Sequence, residues 1–184
     1  MTVLSIAPLH LTQMGDRNMA HTLEQFATAC HDILKAEPGP AGRHKVCTLL
    51  QDVLQDEAFV TTHLGDAVPE RKILYEDPEL GFCILAHVYT DARESPPHDH
   101  GPAWAIYGQA RGVTEMNDWE LVEAASPDKP GKVRKVKTYQ LTPGMALVYN
   151  EGDLHSPRRT APTRLIRLEG RNLDKVQRLR YEPV

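Results

Sequence analysis

The chain has 184 residues, 41% of them hydrophobic and 25% charged, and its formal net charge is -4 at pH 7. This length suits one domain with a sizeable core, and the composition is ordinary for a globular protein. The acidic balance argues against nucleic acid or an anionic membrane as a partner, and no segment approaches the roughly 18 apolar residues of a membrane span.

The N-terminal segment and the cysteines bear on the cellular compartment. Residues 1–11 lack a basic start followed by a long apolar block, so we expect no secretory signal. The three cysteines are an odd number without paired spacing: Cys30, Cys47 and Cys83. We therefore expect free, buried thiols in the reducing environment of the cytoplasm.

The first third of the chain is predicted to be helical. Apolar residues recur at three- and four-residue steps over residues 23–34, 46–56 and 59–64. Thr22 provides a start signal for the first of these helices, and the sequence Pro-Gly-Pro at 38–40 provides a stop signal. Together these patterns place a helical front over about residues 18–66.

The remaining chain is predicted to be a β-barrel. Short apolar runs lie at residues 73–75, 82–89, 103–107, 113–116, 121–122, 133–141, 146–149 and 165–168. Gly, Pro, Asn and Asp separate them, with an exposed hairpin loop expected at 127–131, and many short strands at this spacing are typical of an all-β sandwich or barrel. We expect one domain over residues 1–184, with the barrel from about 70 to 184.

A histidine motif is the most informative part of the sequence. His98 and His100 lie two residues apart behind a double proline, so on an extended backbone their side chains point to the same side. His155 ends another apolar run, after a turn signal at Gly152-Asp153. Three neutral imidazoles from two strands would form an open metal site, whereas Asp99 points the other way on a regular strand.

The other six of the nine histidines are assigned structural roles. His21, His31, His44 and His63 fall in helical segments without mutual ligand spacing, and His10 belongs to the N-terminal segment. His87 alternates with apolar neighbours on a predicted strand, where it is either a core residue or part of a pocket wall. The core interpretation is preferred.

These motifs resemble those of the cupin superfamily, which are double-stranded β-helix barrels that hold one metal ion. Pro-x-His98-Asp-His100-Gly followed by Trp104 is similar to the bacterial cysteine dioxygenase and mercaptopropionate dioxygenase group. The resemblance implies a mainly β fold, a cupin double-stranded β-helix (jelly-roll) barrel with an N-terminal helical segment. It also implies Fe(II) held by His98, His100 and His155, with Zn and Ni as alternatives that imidazole ligands allow equally.

The sequence also departs from that group. The glutamate that ordinary cupins add after the second histidine is absent from residues 101–105, which matches the three-histidine thiol dioxygenases. Ala105 replaces the cysteine that some members crosslink to tyrosine. Members carry a Ser-x-His-x-Tyr relay, whose positions align with Leu165, Arg167 and Glu169, so the relay is not retained.

The resemblance and strand parity together nominate further site residues. Tyr107 is expected to face the cavity, and Glu169 is either a catalytic proton acceptor or the partner of Arg167 or Arg171. Arg178 aligns with an arginine that binds the substrate carboxylate in mercaptopropionate dioxygenase, and it is either such a clamp or a solvated charge. Candidate substrate-binding residues are therefore Arg178, Trp104 and Arg167, and candidate catalytic residues are Glu169 and Tyr107.

Three functions follow as hypotheses. The first is a mononuclear non-heme Fe(II)-dependent dioxygenase that adds O2 to a small acidic or thiol-containing substrate, which in thiol dioxygenases yields a sulfinate. The second is a non-redox Zn or Ni cupin acting as an isomerase, lyase or hydrolase. The third is a metal-binding cupin without turnover. We expect a small-molecule substrate and O2 as partners, no nucleic acid and no membrane, with a homodimer left open.

Overall fold

Helices precede strands along the chain in the computed structural model, which describes residues 21–184. The helices are α1 (Leu23–Ala36), α2 (Pro40–Val53) and α3 (Glu57–His63), with a 3-10 turn at Leu173–Lys175. The strands are β1 (Arg71–Glu76), β2 (Cys83–Tyr89), β3 (Arg93–Glu94), β4 (Ala105–Arg111), β5 (Thr114–Glu123), β6 (Gly131–Leu141), β7 (Ala146–Tyr149), β8 (His155–Arg159), β9 (Thr163–Glu169) and β10 (Tyr181–Pro183). The expectations for residues 1–11, for His10 and for the start of the helical front lie outside the described residues.

The strand order identifies a jelly roll. The strands form two five-stranded sheets, ordered β1-β2-β9-β4-β7 and β10-β6-β5-β8-β3. Of strands β2 to β9, four belong to each sheet, and the neighbours among them run antiparallel. This is the arrangement of two interlocked Greek keys. The predicted fold class, a mainly β double-stranded β-helix barrel behind an N-terminal helical segment, is confirmed.

Some strand predictions differ from the structure. The separate runs at 113–116 and 121–122 form one strand, β5, which continues through the polar residues between them. The short strands β3, β8 and β10 are not predicted. The hairpin loop expected at 127–131 joins β5 to β6, although Gly131 itself already belongs to β6.

The helices cover the outer face of the first sheet. On β2, β4 and β9 the side chains alternate, so that Ile84, Ile106 and Ile166 pack in one core cluster with residues of all three helices. The intervening residues face the barrel interior. Gly108 shows how close α2 comes, because a Cβ atom at this position would lie 2.5 Å from Cδ2 of Leu50. Within residues 21–184 no helix has the length and apolar character of a membrane span.

The three cysteines are free and buried, as expected. Burial raises the pKa of the Cys30 thiol and raises those of Cys47 and Cys83 to about 11. All three thiols therefore stay protonated at neutral pH, which makes them poor nucleophiles.

An aspartate cap begins α3 and gives a testable contribution to stability. Asp56 accepts hydrogen bonds from the backbone N–H groups of Ala58 at 3.0 Å, Phe59 at 3.2 Å and His21 at 2.6 Å. The hydrogen bond from His21 and the two cap bonds lower the pKa of Asp56, against the opposing effect of burial. Such a group stabilises the fold above its unfolded-state pKa and loses this effect as pH falls through its folded-state pKa.

We expect Asp56→Ala to lower the free energy of unfolding by about 1 to 2 kcal/mol at pH 7, the usual effect of removing a helix cap. The difference from the unaltered protein should shrink at acidic pH, where the carboxylate is protonated in both folded and unfolded states. Urea denaturation at a series of pH values measures it. Asp56→Asn, which keeps the cap acceptor, is the matched control, and a pH-independent loss for Asp56→Ala would contradict the explanation.

Candidate metal centre

Three histidines from two distant segments converge inside the barrel. His155 begins β8, and its backbone exchanges two hydrogen bonds with that of His98, at 2.9 and 3.0 Å. The bridge between these residues holds the two segments side by side. Nitrogen atoms of His98, His100 and His155 all lie within 4.8 Å of one another. The structure therefore brings the three predicted ligands together.

Backbone carbonyls select the tautomer of two of these rings. The Nδ1–H of His98 donates to the carbonyl of Pro96 at 2.9 Å, and the Nδ1–H of His155 donates to the carbonyl of Asp153 at 3.0 Å. A neutral imidazole carries one proton, so Nε2 of each ring keeps a free lone pair. Hydrogen bonds of this kind orient the histidine ligands of metal sites.

Burial keeps the three imidazoles neutral. His100 and His155 have no exposed surface, and loss of hydration holds the pKa of each ring far below its ordinary value. Burial is also the main cause that lowers the pKa of His98 to about 4, and the charges of Arg167 and Arg178 act in the same direction. At neutral pH the lone pairs are therefore free of protons and available to a cation.

The donor set fits one divalent transition metal. Among residues 21–184, the group of three histidines includes no carboxylate, and imidazole binds iron, zinc, copper and nickel. Nδ1 of His100 is buried without a hydrogen-bond partner. Three protein ligands leave coordination positions free for a substrate, as in catalytic rather than structural sites. A metal held here would therefore be able to react, and the ligands alone do not select its identity.

The centre lies beside a cavity of about 720 Å³. His98 and Tyr107 contribute to its wall, together with guanidinium groups from three segments: Arg159 on β8, Arg167 on β9 and Arg178 in the C-terminal tail. The cavity therefore connects the candidate metal ligands with a strongly basic surface, which favours an anionic ligand.

Two tyrosines contact the histidines from inside the barrel. The hydroxyl of Tyr107 lies 3.2 Å from Nε2 of His100 and 3.5 Å from Nε2 of His155. Burial raises the pKa of Tyr107, so this side chain is a neutral phenol. The ring of Tyr149 stacks on that of His155, with centroids 3.9 Å apart. The sequence predicts the inward direction of Tyr107 but gives no reason to assign Tyr149 to the site.

Glu169 is part of a buried ion pair. Its Oε2 atom accepts hydrogen bonds from Arg71 and from the backbone N–H of Leu173, both at 3.0 Å. Its Oε1 atom lies 3.4 Å from Nε of Arg167, without the geometry of a hydrogen bond. Of the two alternatives, the structure therefore favours pairing, but the main partner is Arg71 rather than Arg167 or Arg171. The sequence gives no signal for Arg71, which lies 98 positions away in the chain.

Trp104 is not among the residues that line the cavity, so the structure does not bring it to the predicted substrate site. It immediately precedes β4, on which Ala105 and Tyr107 face the barrel interior. Trp104 has the opposite parity and packs with the core beneath the helices. There its ring centroid lies 5.5 Å from the guanidinium of Arg43. The indole also packs against Gly170, just after β9, where a Cβ atom would lie 2.6 Å from Nε1 of Trp104.

Asp99 anchors the C-terminal tail and is not part of the ligand group. Its Oδ2 atom accepts a hydrogen bond from the hydroxyl of Tyr181 at 2.9 Å. Tyr181 begins β10, which pairs in parallel with β6. This contact holds the segment that carries Arg178 next to the histidine motif.

His87 is a buried core residue beside the cavity. Only 4% of its surface is exposed, its Nδ1 atom lies 3.2 Å from the hydroxyl of Tyr89, and its Nε2 atom has no partner. Burial lowers the pKa of His87 well below the ordinary value. It lies apart from the group of three ligands, in agreement with the preferred core interpretation.

The chain is similar to several solved structures at low sequence identity. A scan against family models gives no match, and a search of curated proteins gives none either. Among solved structures, the chain is similar to KdgF from a Halomonas species, with 22% identity, a TM-score of 0.43, and coverage of 60% of this chain and 90% of that one. It is also similar to a protein with a double-stranded β-helix domain from Klebsiella pneumoniae, with 12% identity, a TM-score of 0.43, and coverage of 67% and 95%.

A third similar structure is a cupin superfamily protein from Desulfitobacterium hafniense, with 9% identity, a TM-score of 0.39, and coverage of 56% of this chain and 80% of that one. These values are too low to carry an argument about chemistry. The jelly-roll assignment rests on the strand order of this chain, and the argument for a metal site rests on its own three histidines.

Proposed function

We propose that the protein is a mononuclear non-heme Fe(II)-dependent dioxygenase, similar to cysteine dioxygenases, that adds O2 to a small acidic or thiol-containing substrate. The observation that carries this proposal is the group of three neutral imidazoles without a carboxylate, next to a basic cavity. Many metals suit such ligands. The resemblance of the His98-x-His100 motif to thiol dioxygenases favours iron among them.

Ferrous iron, when bound, would supply the redox chemistry that activates dioxygen. With a thiol the overall reaction is R–SH + O2 → R–SO2H: both oxygen atoms end on sulfur, and O2 is the only oxidant needed. The protein would hold the reactants in position, because His98, His100 and His155 are fixed by β-strand backbone and by hydrogen bonds to their rings.

The other roles fall to side chains of the cavity wall. The phenol of Tyr107, next to two ligand nitrogens, is a candidate hydrogen-bond donor or proton carrier toward a bound substrate. Arg167 and Arg178 are candidates for binding a substrate carboxylate, since guanidinium groups match carboxylates in shape and charge. Glu169, which is already paired with Arg71, is a less suitable proton acceptor.

The alternative is a non-redox Zn or Ni enzyme, an isomerase, lyase or hydrolase that uses the metal as a Lewis acid. Its support is the loss of the relay, because Leu165, Arg167 and Glu169 occupy the aligned positions. A metal-binding cupin without turnover is the remaining alternative.

Oxygen consumption tests the proposal directly. Protein purified without oxygen and loaded with Fe(II) is expected to consume O2 when supplied with at least one member of a panel of thiols, small acids and diketones. A matched His98→Ala protein is expected to consume none, because it lacks a ligand. The absence of uptake with the whole panel would contradict a dioxygenase.

Metal analysis separates the two enzyme classes. Protein produced without metal supplementation is expected to contain iron. Stoichiometric zinc without iron, together with the absence of oxygen uptake, would favour the Lewis-acid alternative.

The remaining expectations are proposals of the same kind. We propose a single domain over residues 1–184, a cytoplasmic location, and a small molecule and O2 as partners, with a homodimer left open and neither nucleic acid nor membrane involved. The three free, buried cysteines support a reducing compartment. The net charge of -4 supports the absence of nucleic acid.

A further inference from the structure

Two guanidinium groups in the barrel interior, one buried and one partly buried, have too few anionic partners. Only 4% of the surface of Arg159 is exposed, its Nε atom is buried without a hydrogen-bond partner, and within residues 21–184 it makes no ion pair. Arg167 has one acidic neighbour, Glu169, which is bound more closely by Arg71. An unpaired charge in such a place is costly, and proteins usually pair it with an opposite charge.

Each of the two guanidinium groups lies over an aromatic ring. Arg159 lies 4.3 Å from the ring centroid of Tyr89, and Arg167 lies 4.7 Å from that of Tyr107. A cation–π contact restrains a guanidinium and leaves its N–H groups free to donate hydrogen bonds elsewhere. Both residues line the 720 Å³ cavity, so these donors are available to a ligand there.

The arginines are distributed along the cavity. Arg167 and Arg178 line the cavity together with His98 of the metal centre. Arg159 lies four residues beyond His155 on β8, about 13 Å along an extended strand. Arg159 therefore lines the same cavity as His98 but lies away from His155 along the strand.

Few acidic groups offset this charge. Glu182 lines the cavity but its carboxylate is bound by Lys132 at 2.8 Å. A ligand with one anionic group would leave some of these guanidinium groups without a counter-charge. A ligand with two anionic groups would place a counter-charge both near Arg159 and near Arg178.

We propose that the cavity binds a small dicarboxylate, with one carboxylate held by Arg159 and Arg167 and the other near Arg178 and the histidine centre. This deepens the proposed function by naming a substrate class, and only the reaction, not the binding, depends on iron. Arg159 is thereby assigned to ligand binding rather than to stability.

Calorimetric titration of metal-free protein, prepared with a chelator at low ionic strength, tests the proposal. The probes are succinate with two carboxylates, propionate with one, and inorganic phosphate. Succinate is expected to bind more tightly than propionate and phosphate. Arg159→Met is expected to weaken succinate binding roughly ten- to a hundredfold, the size of losing hydrogen bonds to a charged group.

The neighbouring Arg158 provides the matched control. It lies on the opposite face of β8, nearly half exposed, beside Glu94 and Glu115. Arg158→Met is expected to bind succinate like the unaltered protein. Equal losses in the two variants, or equal binding of succinate and propionate, would overturn the proposal. Tighter binding of phosphate would overturn the assignment of carboxylates.

Thermal unfolding distinguishes a binding role from a structural one. Without added anion, Arg159→Met is expected to have a Tm equal to or above that of the unaltered protein, because it removes an uncompensated buried charge. Succinate should raise the Tm of the unaltered protein and of Arg158→Met, but not that of Arg159→Met. A lowered Tm with intact succinate binding would make Arg159 a structural residue.

Oxygen uptake separates this inference from the proposed function. Uptake with an uncharged substrate, unaffected by Arg159→Met, would overturn the inference while leaving the dioxygenase proposal standing.

Discussion

Replacing His155 by alanine is expected to abolish stoichiometric metal binding while leaving the barrel folded. Partners that merely orient a ligand cost ten- to a hundredfold in metal affinity when removed, and loss of a ligand from a set of three should cost more than about a hundredfold. The fold should persist because the backbone hydrogen bonds between His155 and His98 do not involve the side chain. The apolar core under the helices is also independent of it.

Metal content by elemental analysis and secondary structure by circular dichroism measure the two parts of this prediction. His98→Ala and His100→Ala should behave like His155→Ala. His87→Ala is the matched control, because His87 is another buried barrel histidine but lies outside the ligand group. It should retain metal. Full metal content in all three ligand variants would eliminate the centre and, with it, the proposed enzyme.

Hydrophobic periodicity predicts the parts of the fold that pack under the helices. The start of α1 at Thr22 is confirmed by a capping box in which Thr22 and Gln25 exchange side-chain and backbone hydrogen bonds. Strands such as β2 and β9 are predictable because at least one face of each is apolar and covered by helices. Burial against a helix is the physical origin of the pattern that the sequence displays.

The same reasoning fails where a strand lines the site. β8 has the sequence His-Ser-Pro-Arg-Arg, whose inward residues are His155, Pro157 and Arg159, so no apolar alternation marks it. β3 has only two residues, and β10 forms by pairing with a strand about 50 positions earlier. Neither short polar runs nor long-range pairings leave a local signal.

Strand parity and motif resemblance predict only some residues of the candidate site. Parity places His98 and His100 together and turns Tyr107 inward. Applied consistently, the same parity turns Trp104 outward, which is where the structure has it. Arg159 follows another arginine in a polar segment and resembles an ordinary surface charge. Its burial depends on the curvature of the whole barrel, which no local pattern encodes.

The barrel interior thus differs chemically from the core under the helices. One side of the first sheet is covered by aliphatic and aromatic side chains. The other carries the polar groups of His87, Tyr107, Arg167 and Glu169 among buried apolar residues such as Ala105 and Leu165. Buried polar groups are costly unless each is satisfied, so the contacts among them should dominate the stability of this region. Among these contacts, we expect loss of the Glu169 ion pair to lower the free energy of unfolding most.

Glu169→Ala is expected to lower the free energy of unfolding by about 3 kcal/mol, the lower end of what breaking a buried ion pair costs. The lower end applies because Arg71 is a quarter exposed. In the variant it would also keep its hydrogen bonds to Asp174 at 2.5 Å and to Asn172 at 3.1 Å. The carboxylate itself is only 1% exposed. Its loss also leaves the buried N–H of Leu173 without its acceptor.

Urea denaturation of three variants measures this contribution and separates pairing from catalysis. Glu169→Gln keeps an acceptor for the Leu173 N–H and should lose less, about 1 to 2 kcal/mol. Glu94→Ala, an exposed glutamate beside Arg158, is the matched control and should change stability by less than about 0.5 kcal/mol. An unchanged unfolding free energy for Glu169→Ala, with loss of oxygen uptake, would instead assign this carboxylate to proton transfer, because a proton acceptor contributes to the reaction without contributing to the fold.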